Sequence, residues 1–325
     1  MKHPPLSPQT PARTQDSEHY PSKDSLSKMV QQFQTPTTRR AIRPGFLART
    51  DSCDVDQMVA DLEGFPEQEG LLSRLLSVSD LTAKTYERFA QNPNSLYNWH
   101  PAVVKALASS KTELKSPATK VLRLPIEMAQ FIRIEYQETS QADKDLFNQY
   151  IFEQFELEDD TTYFIKTGTF SSKFQFANAK CSEPREMGEY FQVINNFAMT
   201  VGAGHSVDVV VREYIEDVEQ NPTIYNGMPL RTEFRVFVDC NTNELIGAVP
   251  YWHPIVMKRA LKAGLSDSIQ QDYQTYLAHE DKLTSEYNEQ LELSGKYSID
   301  VMKNGADLYV IDLALMSQSA LTELL

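Results

Sequence analysis

Cysteine is scarce in this chain: three residues, Cys53, Cys181 and Cys240, among 325. They lie far apart and fit no metal-ligand spacing. A reduced, cytoplasmic protein is the simplest expectation from so few thiols. Long apolar runs are missing as well. No stretch approaches the roughly 18 apolar residues that a membrane-spanning helix needs. The opening Met-Lys-His-Pro-Pro has no apolar segment behind it, so no secretory leader is expected. Positive charge is also in deficit, with 31 Lys and Arg against 45 Asp and Glu, a net charge of −14. That argues against a broad nucleic-acid surface, which is driven by clustered basic side chains. An anionic ligand would have to find its cations gathered in a few places, so single Lys and Arg residues inside apolar strands become informative.

The residues that are present are unevenly distributed. Seven of the 17 prolines fall in the first 44 residues, among Ser, Thr, Gln and charges. Such a segment buries too little apolar surface to offset its ordering entropy, so residues 1–50 are expected to be a disordered tail. Arg39, Arg40 and Arg43 make its end locally basic. Residues 51–120 read as a mainly helical region, with a capped helix expected from Ser79. Strands are expected at 121–124, 131–136, 161–167 and 207–215, with amphipathic helices at 141–155 and 186–200. A strand pair is expected at 233–240 and 245–251, then a long polar helix at 269–293. Strands interleaved with helices and hairpins give an α+β fold class rather than a doubly wound parallel sheet.

The C-terminal segment reads Tyr297-Ser-Ile-Asp-Val-Met-Lys-Asn-Gly-Ala-Asp-Leu-Tyr-Val-Ile-Asp-Leu313. Two apolar runs flank Asn304-Gly305, a strong hairpin signal. Each run carries one carboxylate, Asp300 and Asp312. Two carboxylates on rigid strands suit magnesium, which prefers hard oxygen ligands; two solvated surface aspartates are the plain alternative. Three upstream segments also set charges within β-forming runs. Lys166 ends an apolar strand and precedes a Thr, Gly and Ser loop whose N–H and hydroxyl groups suit phosphate oxygens. Asp208-Val-Val-Val-Arg-Glu-Tyr-Ile215 reads as a strand buried on both faces. Its backbone at Arg212, Glu213 and Tyr214 could meet an adenine edge, or simply mark a strand exit with a surface ion pair. In Arg231-Thr-Glu-Phe-Arg-Val-Phe-Val-Asp239, alternation puts Glu233 and Arg235 on one face. Arg235 suits a cleft holding a triphosphate, or a cross-strand salt bridge.

In their order, from about Phe164 to the C-terminus, these four segments resemble the ATP-grasp superfamily, and within it the cell division cycle protein 123 family. The resemblance implies two α+β lobes clamping ATP, a smaller one over 121–207 and a larger one over 208–325. It implies Lys166 and Arg235 as catalytic phosphate-binding cations, and Ser171 and Ser172 as a loop over the phosphates. Arg212, Glu213 and Tyr214 become the hinge beside adenine, and Asp300 and Asp312 the magnesium ligands. ATP and Mg²⁺ are the implied cofactors. One position departs from the pattern: Ala314 stands where the family usually has a ligating asparagine. Ser317 or Gln318 would have to compensate, or water would take that place on the metal.

Three functions compete. An ATP-dependent ligase would activate a substrate by phosphoryl transfer. An ATP-binding assembly factor, as in the cell division cycle protein 123 family, would act on a protein client. A nucleic-acid ligase, with Lys173, Lys296 and Lys303 lining a groove, fits the net charge least well. His205 reads as a loop residue, Trp99-His100-Pro101 as a helix start, and Trp252-His253-Pro254 as either a packing corner or an acceptor-pocket wall.

Overall fold

The computed structural model describes residues 81–110, 112–201, 203, 206–252 and 291–325. The expected tail, His205, the helix at 269–293 up to residue 290, and His253-Pro254 lie outside the described residues. Eleven strands are present among those described: β1 Leu114–Lys115, β2 Thr119–Arg123, β3 Tyr163–Thr167, β4 Lys180–Cys181, β5 Asp208–Glu213, β6 Thr223–Ile224, β7 Met228–Pro229, β8 Glu233–Asp239, β9 Glu244–Pro250, β10 Lys296–Asn304 and β11 Asp307–Leu315. They form a four-stranded sheet in the order β2-β5-β3-β4, a five-stranded sheet in the order β1-β11-β10-β8-β9, and a small β6-β7 pair. The fold class is the expected α+β, with two lobes. Among the described residues no helix is long and apolar enough to cross a membrane.

The smaller sheet packs its outer face on two helices, Gln141–Gln154 and Met187–Val201. Ser140 caps the first by accepting from the Asp143 N–H, which satisfies one of its free amide groups. Ile165, Val209 and Val211 point into this core with Phe147, Ile151, Phe191 and Ile194. Alternation then turns Val210 the other way, into the core of the larger sheet beside Val236, Ile299 and Val310. Strand β5 is therefore buried on both faces, as its triple valine implies. It pairs with β2 and β3, so β5 belongs to the smaller sheet. The helix Leu96–Ser109 buries Leu96, Trp99, Val103 and Ala106 in the second core. It is thus packed against the larger sheet as well as beside β2 and β5, and ties the lobes together.

Two local expectations change and a third is narrowed. The segment 131–136 is not a strand: a helix covers Ile126–Phe131 and a 3₁₀ turn Tyr136–Glu138. Its run of buried residues, Phe131, Ile132 and Ile134, packs on the first core without an alternating pattern. Of the capped helix expected from Ser79, which itself lies outside the described residues, the helical part is Ala83–Ala90, capped by Thr82. The hairpin tip is Gly305-Ala306, since Asn304 still pairs with Asp307. Gly305 has φ +64°, which glycine adopts without steric cost. Asn304 instead donates from Nδ2 to the Glu216 carbonyl and accepts at Oδ1 from the Val218 N–H.

Candidate nucleotide-binding cleft

A one-residue bulge builds the floor of the site. Val301 pairs with Val310, but the next pair is Asp300 with Asp312, leaving Ile311 as the extra residue. Without that bulge Asp300 would face Ile311, and Asp312 would point to the opposite side of the sheet. On its other edge β10 sets Asp300 directly opposite Arg235 of β8. Arg235, Asp300 and Asp312 consequently form one row across three strands, on one face. The smaller sheet supplies the facing wall. Lys166 lies opposite Val210, and Phe164 opposite Arg212, so Phe164, Lys166 and Arg212 share the face opposite Ile165, Val209 and Val211.

Between the walls is a cleft of about 910 Å³. Of the residues expected at the site, Lys166, Ser171, Arg212, Glu213, Tyr214, Arg235, Asp300 and Asp312 all line it. Ser172 does not: it is fully buried, at φ +50°, before a 3₁₀ turn. Lys173, Arg231 and Glu233 join the lining, so five cations and four carboxylates meet in one space. For a chain of net charge −14, this is the concentration of cations that an anionic ligand requires.

The charges are organised as pairs. Lys166 Nζ donates to Asp312 Oδ2 at 2.8 Å across the cleft, with the lysine side chain 2% exposed. Arg235 makes a two-point contact with Asp300, Nε to Oδ1 and Nη2 to Oδ2, both at 2.8 Å. Such forked contacts are the strong form of charge-assisted hydrogen bond. Arg212 Nη1 donates to the Ile311 carbonyl at 2.7 Å, the residue left out of the ladder by the bulge. Burial lowers the proton affinity of Lys166, and Asp312 only partly restores it. Burial likewise brings Arg212 down to about 10 against a small contribution from Asp312. Arg235 moves the other way: its burial is outweighed by the bond and charge of Asp300. Burial pushes the Asp312 carboxyl up, but Lys166 and Arg212 together hold it below the usual range. Burial raises that of Glu233, with Lys173 opposing.

Part of the cleft lining is apolar and aromatic. Phe164, Phe176 and Tyr214 pack together, with Met228 in the same cluster. Lys173 Nζ sits 3.4 Å from the centroid of the Tyr251 ring, and the Arg235 guanidinium 4.8 Å from it, favourable positions for cations over a π face.

Several expected donors are turned inward. The Gly168 N–H goes to the Asp208 carbonyl and Ser206 Oγ, and Thr167 Oγ1 accepts from Thr169 and Phe170. Part of the loop after Lys166 is therefore bonded within the fold, whereas Thr169 Oγ1 and Ser172 Oγ are buried without a partner among the described residues. At the hinge, the Glu213 and Tyr214 N–H groups bond to Ala118 and Thr162, so sheet pairing uses the donors expected to meet adenine. Lys296 and Lys303 sit near opposite ends of β10 and pair with Asp239 and Glu219. Neither lines the cleft with Lys173.

Among the described residues, no three His, Cys, Asp or Glu side chains gather closely enough to hold a metal. The available set is Asp300 with Asp312. Two carboxylates facing a polyphosphate suit magnesium, which binds through one or two carboxylates plus phosphate and keeps several waters. Ala314 lies opposite Ser298 in the ladder. Ser298, Ser317 and Gln318 all line the cleft near it. Gln318 accepts from Asn94 Nδ2, so its oxygen is engaged. From sequence, Lys173 is expected only in a nucleic-acid groove and Glu233 only on the strand face of Arg235, and Tyr251 is not placed at the site. Glu233 was legible as the position two before Arg235 on the same strand face. Lys173 and Tyr251 are brought in by loops and carry no such signal.

An antiparallel four-stranded sheet and a mixed five-stranded sheet thus face each other across a charged cleft, and the chain is similar to several solved structures. One is C-terminally truncated Cdc123 from Schizosaccharomyces pombe, with 14% identity and TM-score 0.44, covering 68% of this chain and 83% of that one. Another is a RimK domain ATP-grasp protein from Sphaerobacter thermophilus, with 14% identity and TM-score 0.35 over 78% and 69% of the two chains. A third is D-alanine–D-alanine ligase from Bacillus anthracis complexed with ATP, with 8% identity and TM-score 0.33 over 68% and 54%. No protein-family model and no curated protein matches the sequence.

Proposed function

We propose that the cleft binds ATP with magnesium, and that the protein is an ATP-dependent ligase that activates its substrate by phosphoryl transfer. The observation that carries this reading is the row Arg235–Asp300–Asp312 facing Lys166 across the cleft. Phosphoryl transfer needs little covalent chemistry from the protein. It needs positioning and neutralisation of charge on the transferring group. Lys166 and Arg235 would hold the phosphate oxygens. The aromatic part of the lining at Phe164, Phe176 and Tyr214 would take the base. Asp300 and Asp312 would ligate the metal, which neutralises the developing charge when bound.

A second reading is favoured by Ala314. With no third protein donor at that position, the site suits retention of a nucleotide better than rapid turnover. An assembly factor that uses ATP structurally, with a protein client, fits that economy. Titration calorimetry with ATP and magnesium tests the common premise. Wild type should bind. Arg235→Ala should weaken binding by about tenfold or more, since charge-assisted bonds are worth roughly 1.5–3 kcal/mol. Unchanged affinity in that variant would remove the nucleotide from this cleft. Phosphate release that rises with an acceptor would then favour the ligase, and stoichiometric retention of ATP the assembly factor.

A further inference from the structure

The cations expected to meet phosphate are already holding anions of the protein itself. Lys166 is on Asp312 and Arg235 is on Asp300, each at 2.8 Å. The remaining Arg235 nitrogen donates to the Ala320 carbonyl at 3.2 Å. Arg212 is on the Ile311 carbonyl. Carboxylate and carbonyl oxygens thus occupy positions around these cations that phosphate oxygens would need. Lys166 is almost wholly shielded from solvent where it meets the cleft: its side chain is 2% exposed. If it leaves Asp312 it must pass directly to another anion, because an isolated buried ammonium is too costly to sustain.

We propose that Asp312, with Asp300 beside it, is a built-in competitor that makes the cleft reject free nucleotide and accept only the metal complex. The inference rests on the nucleotide reading above. Free ATP would bring its phosphates against two carboxylates fixed on adjacent strands, and like charges at such range oppose binding strongly. A nucleotide carrying a divalent cation meets the opposite situation. Each carboxylate exchanges its cationic partner for the metal, and each cation exchanges its carboxylate for phosphate. Ion pairs are swapped rather than broken, and no buried charge is stranded. Asp312 is then a specificity-determining residue, and its effect on metal-free nucleotide has the reverse sign to that of an ordinary ligand.

The test is binding of ATP to the full chain in excess chelator and in excess magnesium, for wild type, Asp312→Asn and Asp300→Asn. Wild type should bind free ATP at least about a hundredfold more weakly than the magnesium complex. Asp312→Asn should bind free ATP at least about tenfold more tightly than wild type does, and should lose most of the magnesium enhancement. Asp300→Asn should shift in the same direction, giving an independent reading if Asp312→Asn folds poorly in a thermal melt. Free-ATP affinity that is unchanged or weaker in both folded variants, with wild type binding the magnesium complex, overturns this inference alone. No binding by wild type in magnesium overturns the nucleotide reading and this inference with it.

Discussion

The two walls of the cleft hold their cations in opposite ways. On the larger sheet Arg235 is neutralised within its own wall, by Asp300 on the neighbouring strand. Its proton is held more firmly than in water. On the smaller sheet neither Lys166 nor Arg212 bonds to a carboxylate of its own strands. Both reach across, to Asp312 and to the Ile311 carbonyl, and burial lowers the proton affinity of both. In its cation Arg235 the larger wall is thus self-contained, although its Asp312 is neutralised from the smaller wall, whereas the cations of the smaller wall depend on the facing one. Cations on the dependent wall are already desolvated, so they offer most to an incoming anion and also hold the lobes together.

The comparison breaks first at Asp312. Asp312→Ala leaves Lys166 buried without its counter-charge and should cost about 3–5 kcal/mol, read from urea denaturation. Adding Lys166→Met to that variant should recover most of the loss, because the stranded charge is removed. Asp300→Ala should cost less, about 2 kcal/mol, since Arg235 keeps the Ala320 carbonyl and more solvent. Equal losses in the two alanine variants would show that the walls do not differ in this respect.

Gly168 sharpens the comparison at the loop behind Lys166. A Cβ there would lie 2.2 Å from Ser95 Oγ and 2.6 Å from Ser206 Oγ. Neither hydroxyl is free to swing: Ser95 donates to the buried Asp208 carboxylate, and Ser206 accepts from Gly168 itself. Gly168→Ala should therefore cost about 1–2 kcal/mol by overpacking, with little effect on the Arg235–Asp300 pair. Gly247 tests the other wall. Its added Cβ would meet only the end of the Leu325 side chain, so Gly247→Ala should be nearly neutral in the same denaturation assay.

How much of this was legible depends on the kind of signal. Triple valine in β5 and alternation in β8 announced strands with one charged or two apolar faces, and these are present. The row Arg235–Asp300–Asp312 could be suspected from residue type, but its coherence depends on the bulge at Ile311. Nothing in Leu-Tyr-Val-Ile-Asp marks a register shift. The loop after Lys166 is ambiguous for a related reason. Thr, Gly and Ser supply the donors that phosphate wants, but equally the acceptors that satisfy those donors locally, as Thr167 and Ser206 do here. Ser172 points inward while Ser171 lines the cleft, and neighbouring loop serines carry no period to separate inward from outward. The 131–136 segment shows the limit of short apolar runs, which strand and helix share.

Beyond that near-neutral control, the smallest expected loss concerns the uncompensated charge of the dependent wall. Burial, and then the nearby Arg212, lower His100 to about 4. In the unfolded chain it would titrate near 6.5. Between those two values the unfolded chain binds a proton that the folded chain refuses. Stability should accordingly fall as the pH drops through this window and level off below it. Because the ring is only partly buried, the loss should be on the order of 1 kcal/mol, less than the whole shift would give. Denaturation of wild type and His100→Gln at pH 7.5 and pH 4.5 isolates it: the variant should lose less stability on acidification. Arg212→Met should raise the His100 titration midpoint as read by NMR, whereas Arg235→Met, on the larger wall, should leave it in place. A midpoint equally sensitive to both arginines would mean that the field of the larger wall is not closed by Asp300, and the contrast between the walls would fall.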